Sequence, residues 1–148
     1  MKVRVCYLQH NLSRNLHSYQ YDIVDFNKIL EISDFLSIHV PLAQNTYQLI
    51  GEKELKKMKQ GSFLINSARG GIVDEKALFK ILSKETGNIR GAAIDTHEFE
   101  KLIYKSPLCG LKRVILTPHI AGTTYESTSK SLDILVSKVV HSINESIK

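Results

Sequence analysis

The feature that most constrains this chain is its alternation of short apolar runs with amphipathic helical stretches. Val3 to Leu8, Phe35 to Val40, Ser62 to Asn66, Gly91 to Ile94 and Val114 to Leu116 read as strands. Asp25 reads as the N-cap of a short helix with Phe26, Ile29 and Leu30 on one face. Glu52 to Met58 predicts a helix presenting Leu55 and Met58 and closed by Gly61. Asp74 caps a third helix, with Ala77, Leu78, Ile81 and Leu82 at helical spacing. A long final helix traces an apolar stripe through Leu132, Leu135, Val136, Val139, Val140, Ile143 and Ile147, a face for core or subunit interface. Gln9 to Gln20 is polar and aperiodic and reads as a loop; Pro41, which has no N–H to donate to a ladder, stops the second strand. Strands separated by helices pair in parallel, because a parallel neighbour requires a crossover. Continuous apolar strands also predict helices on both faces of the sheet.

Composition narrows the classes further. With 148 residues, 43% hydrophobic and 24% charged, and only 8 Gly and 3 Pro, the chain is expected to form one globular domain. No apolar run approaches the ~20 residues of a membrane helix, and Arg4 interrupts the first apolar stretch, so neither a membrane span nor a signal peptide is expected. Cys6 and Cys109 lie far apart without metal-ligand spacing; a reduced, cytoplasmic setting with both as small core residues is the expectation. The formal charge of +5 is scattered, and only Lys56, Lys57 and Lys59 cluster, which reads as a solvated helix face and not a nucleic-acid surface.

In an open parallel sheet, ligands bind outside the carboxyl ends of the strands. There the sequence places His39-Val40-Pro41-Leu42, then Asn66-Ser67-Ala68-Arg69-Gly70-Gly71, then Asp95 with Glu98 and Glu100, then Thr117-Pro118-His119-Ile120. A guanidinium, a carboxylate and an imidazole in one crevice suit a carboxylate substrate and proton transfer to its neighbouring oxygen. Taken singly, an arginine before Gly-Gly also suits a surface ion pair, and a histidine after proline suits a turn. His97 and Glu98 have no third partner at metal-site spacing, so no metal site is expected.

The segments SDFLSIHVPLAQNTYQLI, MKQGSFLINSARGGIVDEKAL, GAAID, SPL and VILTPHIAG, in that order between Ser33 and Gly122, resemble the nucleotide-binding half of the D-isomer-specific 2-hydroxyacid dehydrogenases. The resemblance implies an α/β, Rossmann-like doubly wound parallel sheet and hydride transfer between NAD(H) and a small 2-hydroxy or 2-oxo acid. By position, Arg69 matches the arginine that grips the substrate carboxylate and 2-oxo group, and His119 matches the acid/base. Glu100 matches the glutamate paired with that histidine. Lys101 follows it where family members usually have proline, which leaves Glu98 as a nearby substitute. Asp95 matches the aspartate at the nicotinamide carboxamide, and His39, Pro41, Ser67 and Ala121 match positions lining the cofactor.

The departures from the family pattern are equally specific. No Gly-x-Gly-x-x-Gly turn occurs in the sequence, although such glycines let backbone N–H groups approach a pyrophosphate at a helix N-terminus. Met1-Lys2-Val3 aligns with the start of the family's second strand, so residues 1–148 are expected to be a partial dinucleotide-binding domain without its first strand, and without the substrate domain. In the 3-2-1-4-5-6 strand order that strand lies between Val3–Leu8 and Phe35–Val40. Those two runs should therefore pair across the gap, leave an edge open, or take a strand from a second copy or a complementing chain. Tyr7, Leu8 and Gln9 stand where an acidic residue would bind the ribose hydroxyls, which removes the usual argument for NAD over NADP; NAD is the expected cofactor, with NADP still compatible. Three readings follow: a truncated dehydrogenase with little activity alone, one half of a split dehydrogenase, or a non-catalytic binding module such as the related C-terminal-binding-protein corepressors.

Overall fold

A computed structural model of the chain describes residues 5–7, 21–98 and 104–146. The expected loop over Gln9 to Gln20, the end of the apolar stripe at Ile147 and the candidate Glu100 lie outside the described residues. Element order is β1 (Val5–Tyr7), β2 (Tyr21–Ile23), α1 (Phe26–Ile32), β3 (Phe35–Ile38), α2 (Glu52–Lys57), β4 (Ser62–Asn66), α3 (Glu75–Leu82), β5 (Ile89–Ile94), β6 (Val114–Leu116) and α4 (Tyr125–Ser146). Local chemistry sets several boundaries. Asp25 accepts a hydrogen bond from Lys28 N and Asp74 one from Ala77 N, capping α1 and α3 as expected. Asn88 Nδ2 donates to the carbonyls of Leu55 and Met58 at 2.7 Å each, closing α2 from outside.

All strand pairs are parallel, in two sheets with orders β1-β2 and β3-β4-β5-β6. Of the outcomes foreseen for the central gap, the described residues show open edges: β1 pairs with β2, β3 pairs with β4, and neither ladder crosses between β1 and β3. The short β2 was not expected from the sequence, because three residues with Asp22 in the middle carry no apolar run.

The register explains where the core sits. Leu36, Leu64, Ala92 and Val114 form one row across β3 to β6, and Ile38, Asn66, Ile94 and Leu116 form the next row on the same face. These residues point into a core completed by Leu30, Leu55, Ile72, Leu78, Ile81 and Leu108 from the helices and loops. The alternate row, Ser37, Ile65, Ala93 and Ile115, faces the other way. There Ile115 and Phe35 are each 67% exposed, and the Phe35 ring stacks on Phe63 at 5.2 Å.

The expectation of helices on both faces therefore does not hold for the described residues. Helices α1, α2 and α3 pack in succession on one face. The stripe of α4 is exposed from Leu132 to Ile143, so its reading as core within the single chain is also overturned. Cys109, expected in the core, is exposed because it lies in the turn just before Gly110. The clustered lysines are engaged with polar neighbours: Lys56 with Glu52 at 2.5 Å, Lys57 with Asn27 at 2.8 Å and Lys59 with Asp34 at 2.7 Å. No helix among the described residues is long and apolar enough to cross a membrane.

One-sided burial has a direct test. Leu64, 0% exposed, truncated to alanine should cost roughly 2–5 kcal/mol of unfolding free energy. Ile115→Thr on the open face should stay within about 0.5 kcal/mol. Urea titration of the two variants measures both.

Candidate functional site

Parallel register brings the expected site to one edge of the sheet. Because Ile38, Asn66, Ile94 and Leu116 share a row, the next residues, His39, Ser67, Asp95 and Thr117, stand side by side just past the carboxyl ends of four adjacent strands. His39 is exposed, with Nε2 hydrogen-bonded to Ser37 Oγ at 2.8 Å. The loop after β3 turns at Pro41, whose carbonyl accepts from Thr46 Oγ1 at 2.7 Å. That loop is fastened to the next one, since Gln48 N donates to Gly71 O and Ile50 N to Ile72 O at 2.7 and 3.1 Å.

The loop after β4 is shaped by Asn66, the buried last residue of that strand. Its Oδ1 accepts from Ala68 N at 3.1 Å and its Nδ2 donates to Arg69 O at 3.0 Å, an internal brace for the turn. Ser67 follows half-buried, and Arg69 projects outward with Nη1 donating to the Ala68 carbonyl at 2.7 Å. Gly70 is required by close approach: a Cβ there would sit 1.9 Å from the His97 carbonyl oxygen. This glycine therefore packs against protein backbone and offers no open cradle to a phosphate.

The strongest polar cluster surrounds Asp95. Its carboxylate accepts from Thr117 Oγ1 at 2.5 Å, Ile120 N at 2.9 Å and Ala121 N at 3.0 Å. The Asp95 carbonyl accepts from His119 N at 2.8 Å, and Asp95 N donates to Asn66 O at 2.9 Å. Burial pushes the Asp95 carboxyl up, but the bonds from Thr117, Ile120 and Ala121 and the nearby His119 outweigh it, and the acid sits below its ordinary value of 3.8. His119 itself is exposed and adopts φ 55°, a left-handed conformation uncommon outside glycine. Sequence reasoning found Asp95, His119 and Ala121 and missed Thr117 as their clamp; a hydroxyl directly at a strand end was the available signal.

The structure thus brings together Asp95, His119 and Ala121, and sets His39, Pro41, Ser67 and Arg69 on the neighbouring strand ends. Glu98, the substitute for Glu100, is exposed and its Oε1 accepts from Tyr47 Oη at 3.4 Å. Among the described residues no group of three or more His, Cys, Asp or Glu side chains is placed to hold a metal ion.

A parallel sheet with this set of strand-end residues defines a nucleotide-binding domain, and the sequence profile of the "D-isomer specific 2-hydroxyacid dehydrogenase, NAD binding domain" matches residues 1–121. The chain belongs to that family. It is 44% identical over 119 residues to the glyoxylate reductase of Thermococcus litoralis, an alignment covering 80% of this chain and 35% of that protein. The fold matches the NAD-complexed D-isomer specific 2-hydroxyacid dehydrogenase of Lactobacillus delbrueckii ssp. bulgaricus with a TM-score of 0.82 and 31% identity, over 96% of this chain and 46% of that one. It also matches an acyclic imino acid reductase in complex with NADPH and D-Arg, with a TM-score of 0.79 and 32% identity, over 96% of this chain and 44% of the other. The chain spans about a third of the length of the curated relatives it matches.

Asp95 supplies the pH dependence of this edge. Because its folded value lies below 3.8, its contribution to stability is present above that pH and is lost as pH falls through the folded value. The stability gap between the native chain and Asp95→Asn should accordingly narrow on acidification below 3.8. Removing the hydroxyl donor with Thr117→Val should raise the Asp95 carboxyl, followed by its ¹³C resonance across a pH titration.

Proposed function

We propose that this chain is part of the dinucleotide-binding domain of a nicotinamide-dependent 2-hydroxyacid dehydrogenase, interconverting a 2-hydroxy acid and its 2-oxo acid. The observation that carries the reading is the clamp from Asp95 to Thr117, Ile120 and Ala121, which holds His119 beside a carboxylate at the ligand-binding edge of the sheet. In this reading Arg69 binds the substrate carboxylate and 2-oxo group through its planar fork. His119 gives a proton to the carbonyl oxygen in reduction and removes the hydroxyl proton in oxidation, and Glu100 orients its ring. Asp95 would hold the carboxamide of a bound nicotinamide, and His39, Pro41, Ser67 and Ala121 would line the cofactor.

Fit to a nicotinamide cofactor is supported at one end. Asp95 Oδ2 accepts one bond, from Ala121 N, and a carboxylate oxygen keeps capacity for a carboxamide N–H. At the other end, the described residues include no glycine-rich turn for the pyrophosphate, and Gly70 is committed to the His97 backbone. When bound, NAD supplies the hydride acceptor or donor at the substrate C2 carbon. NAD follows from the family; the sequence Tyr7-Leu8-Gln9 carries no carboxylate to select it over NADP. The substrate domain and the glycine-rich element come, in this reading, from outside residues 1–148, and the reaction belongs in the cytoplasm.

A split arrangement has its own support. The edges of β1 and β3 that would flank a central strand are both unpaired among the described residues, so a complementing chain carrying strand, glycine-rich turn and helix suits them.

Titrating NADH against the isolated chain should give no saturable fluorescence change in the micromolar range, and pyruvate, glyoxylate and hydroxypyruvate should not be turned over. Adding a polypeptide that carries the strand, glycine-rich turn, helix and substrate domain should restore turnover, and Arg69→Ala or His119→Ala should then lower kcat/KM by roughly 10²–10⁴-fold. Robust turnover by the isolated chain would overturn the partial-domain reading. A complemented protein indifferent to both substitutions would overturn the assigned roles.

A further inference from the structure

Beneath the candidate site lies a buried histidine that none of these roles uses. His97 is 3% exposed, on the segment after β5, and three other elements converge on it. Its Nε2–H donates to the carbonyl of Thr117 at 2.9 Å, two residues before His119. Its own carbonyl fills the space above Gly70, the neighbour of Arg69. Its Nδ1 makes no hydrogen bond and lies 3.8 Å from Glu75 Oε1 at the start of α3.

Glu75 is itself buried, at 5% exposure, and is fully occupied in joining the same segments. Its Oε1 accepts from Glu98 N at 3.0 Å and its Oε2 from Ser106 Oγ at 2.5 Å. A buried carboxyl group with both oxygens hydrogen-bonded is a firm anchor, because freeing either oxygen leaves a buried polar atom without a partner. The His97 ring therefore lies between this anchor, 3.8 Å from Glu75 Oε1, and the strand-end loop of β6, to which its Nε2–H is bonded.

From these contacts we infer that His97 is a positioning residue: it sets the loops bearing Arg69, Asp95 and His119 in register with one another. The chain of action is specific. The Nε2–H bond fixes the Thr117 carbonyl, Thr117 Oγ1 fixes Asp95, and Asp95 fixes the Ile120 and Ala121 amides and, through its carbonyl, that of His119. A phenyl ring fills the same space but cannot make the first link. A glutamine amide reaches from the same backbone position and can donate where Nε2–H does. The inference deepens the dehydrogenase reading by adding a residue that supports its site, but its contacts exist without any ligand.

The test is amide hydrogen exchange on the ligand-free chain. His97→Phe should accelerate exchange at His119, Ile120 and Ala121 by about tenfold, as expected for a lost buried hydrogen bond, with the Leu64 and Ala92 amides in the central strands unchanged. His97→Gln should restore slow exchange at the three loop amides. Unchanged loop amides in His97→Phe, or acceleration spread evenly over loop and core, would overturn the inference, and so would failure of glutamine to rescue. Should His97→Phe not fold, comparison of His97→Gln with the shorter His97→Asn carries the same contrast, with loop exchange slow in the first and fast in the second. Loss of the dehydrogenase reading would show only in the turnover of complemented protein, so the two failures are separable.

Discussion

The register shared by β3, β4, β5 and β6 is the constraint on which the rest depends. Parallel pairing places Ile38, Asn66, Ile94 and Leu116 in one row, and everything chemically distinctive follows one residue later. A one-residue slip in a strand would send its core side chains to the opposite face, so burial of Leu36, Leu64 and Ala92 enforces the alignment of the site. Core packing and site geometry are two consequences of one set of hydrogen bonds.

On that frame, the loops are held less by their own sequence than by polar side chains reaching between them. Asn66 braces the loop after β4, Thr117 and the Ile120 and Ala121 amides converge on Asp95, and Glu75 gathers Glu98 and Ser106. Such links are worth more under cover than in water, provided every partner is satisfied. Among the described residues three buried side-chain atoms, Ser62 Oγ, Thr96 Oγ1 and His97 Nδ1, have no hydrogen-bond partner, and the last two lie on the segment directly after Asp95. Two of these three unsatisfied side-chain atoms thus sit next to Asp95 in the chain.

Much of this was legible in the residues. Ser62–Asn66 and Val114–Leu116 have the expected bounds, and Asp25 and Asp74 cap helices where side-chain type and apolar spacing indicated. β5 begins earlier than expected, at Ile89, because the exposed Arg90 breaks the apolar run and falls at a register shift between Ser62 and Phe63, beyond which the pairing with β4 resumes at Gly91. β2 escaped because three residues cannot display periodicity. Covering of both faces was misjudged for another reason: apolar residues on both sides of a strand state that cover is wanted, and do not say which part of the molecule provides it. In the site, motif residues announced Asp95 and His119, whereas Thr117, Glu75 and His97 act through contacts between loops distant in sequence, which spacing along the chain does not encode, and Asn66 braces its own turn.

The turn at His119 carries a consequence for chemistry itself. A backbone held at φ 55° admits few side chains besides glycine without strain; asparagine, aspartate and histidine are the usual tenants of that region. Of these, only aspartate and histidine carry an ionisable proton, and histidine alone titrates near neutrality when unperturbed. The fold of this loop therefore restricts the vocabulary of proton carriers at the sheet edge before any ligand arrives. A lysine, tyrosine or glutamate placed there would have to bend the turn before it could do similar work.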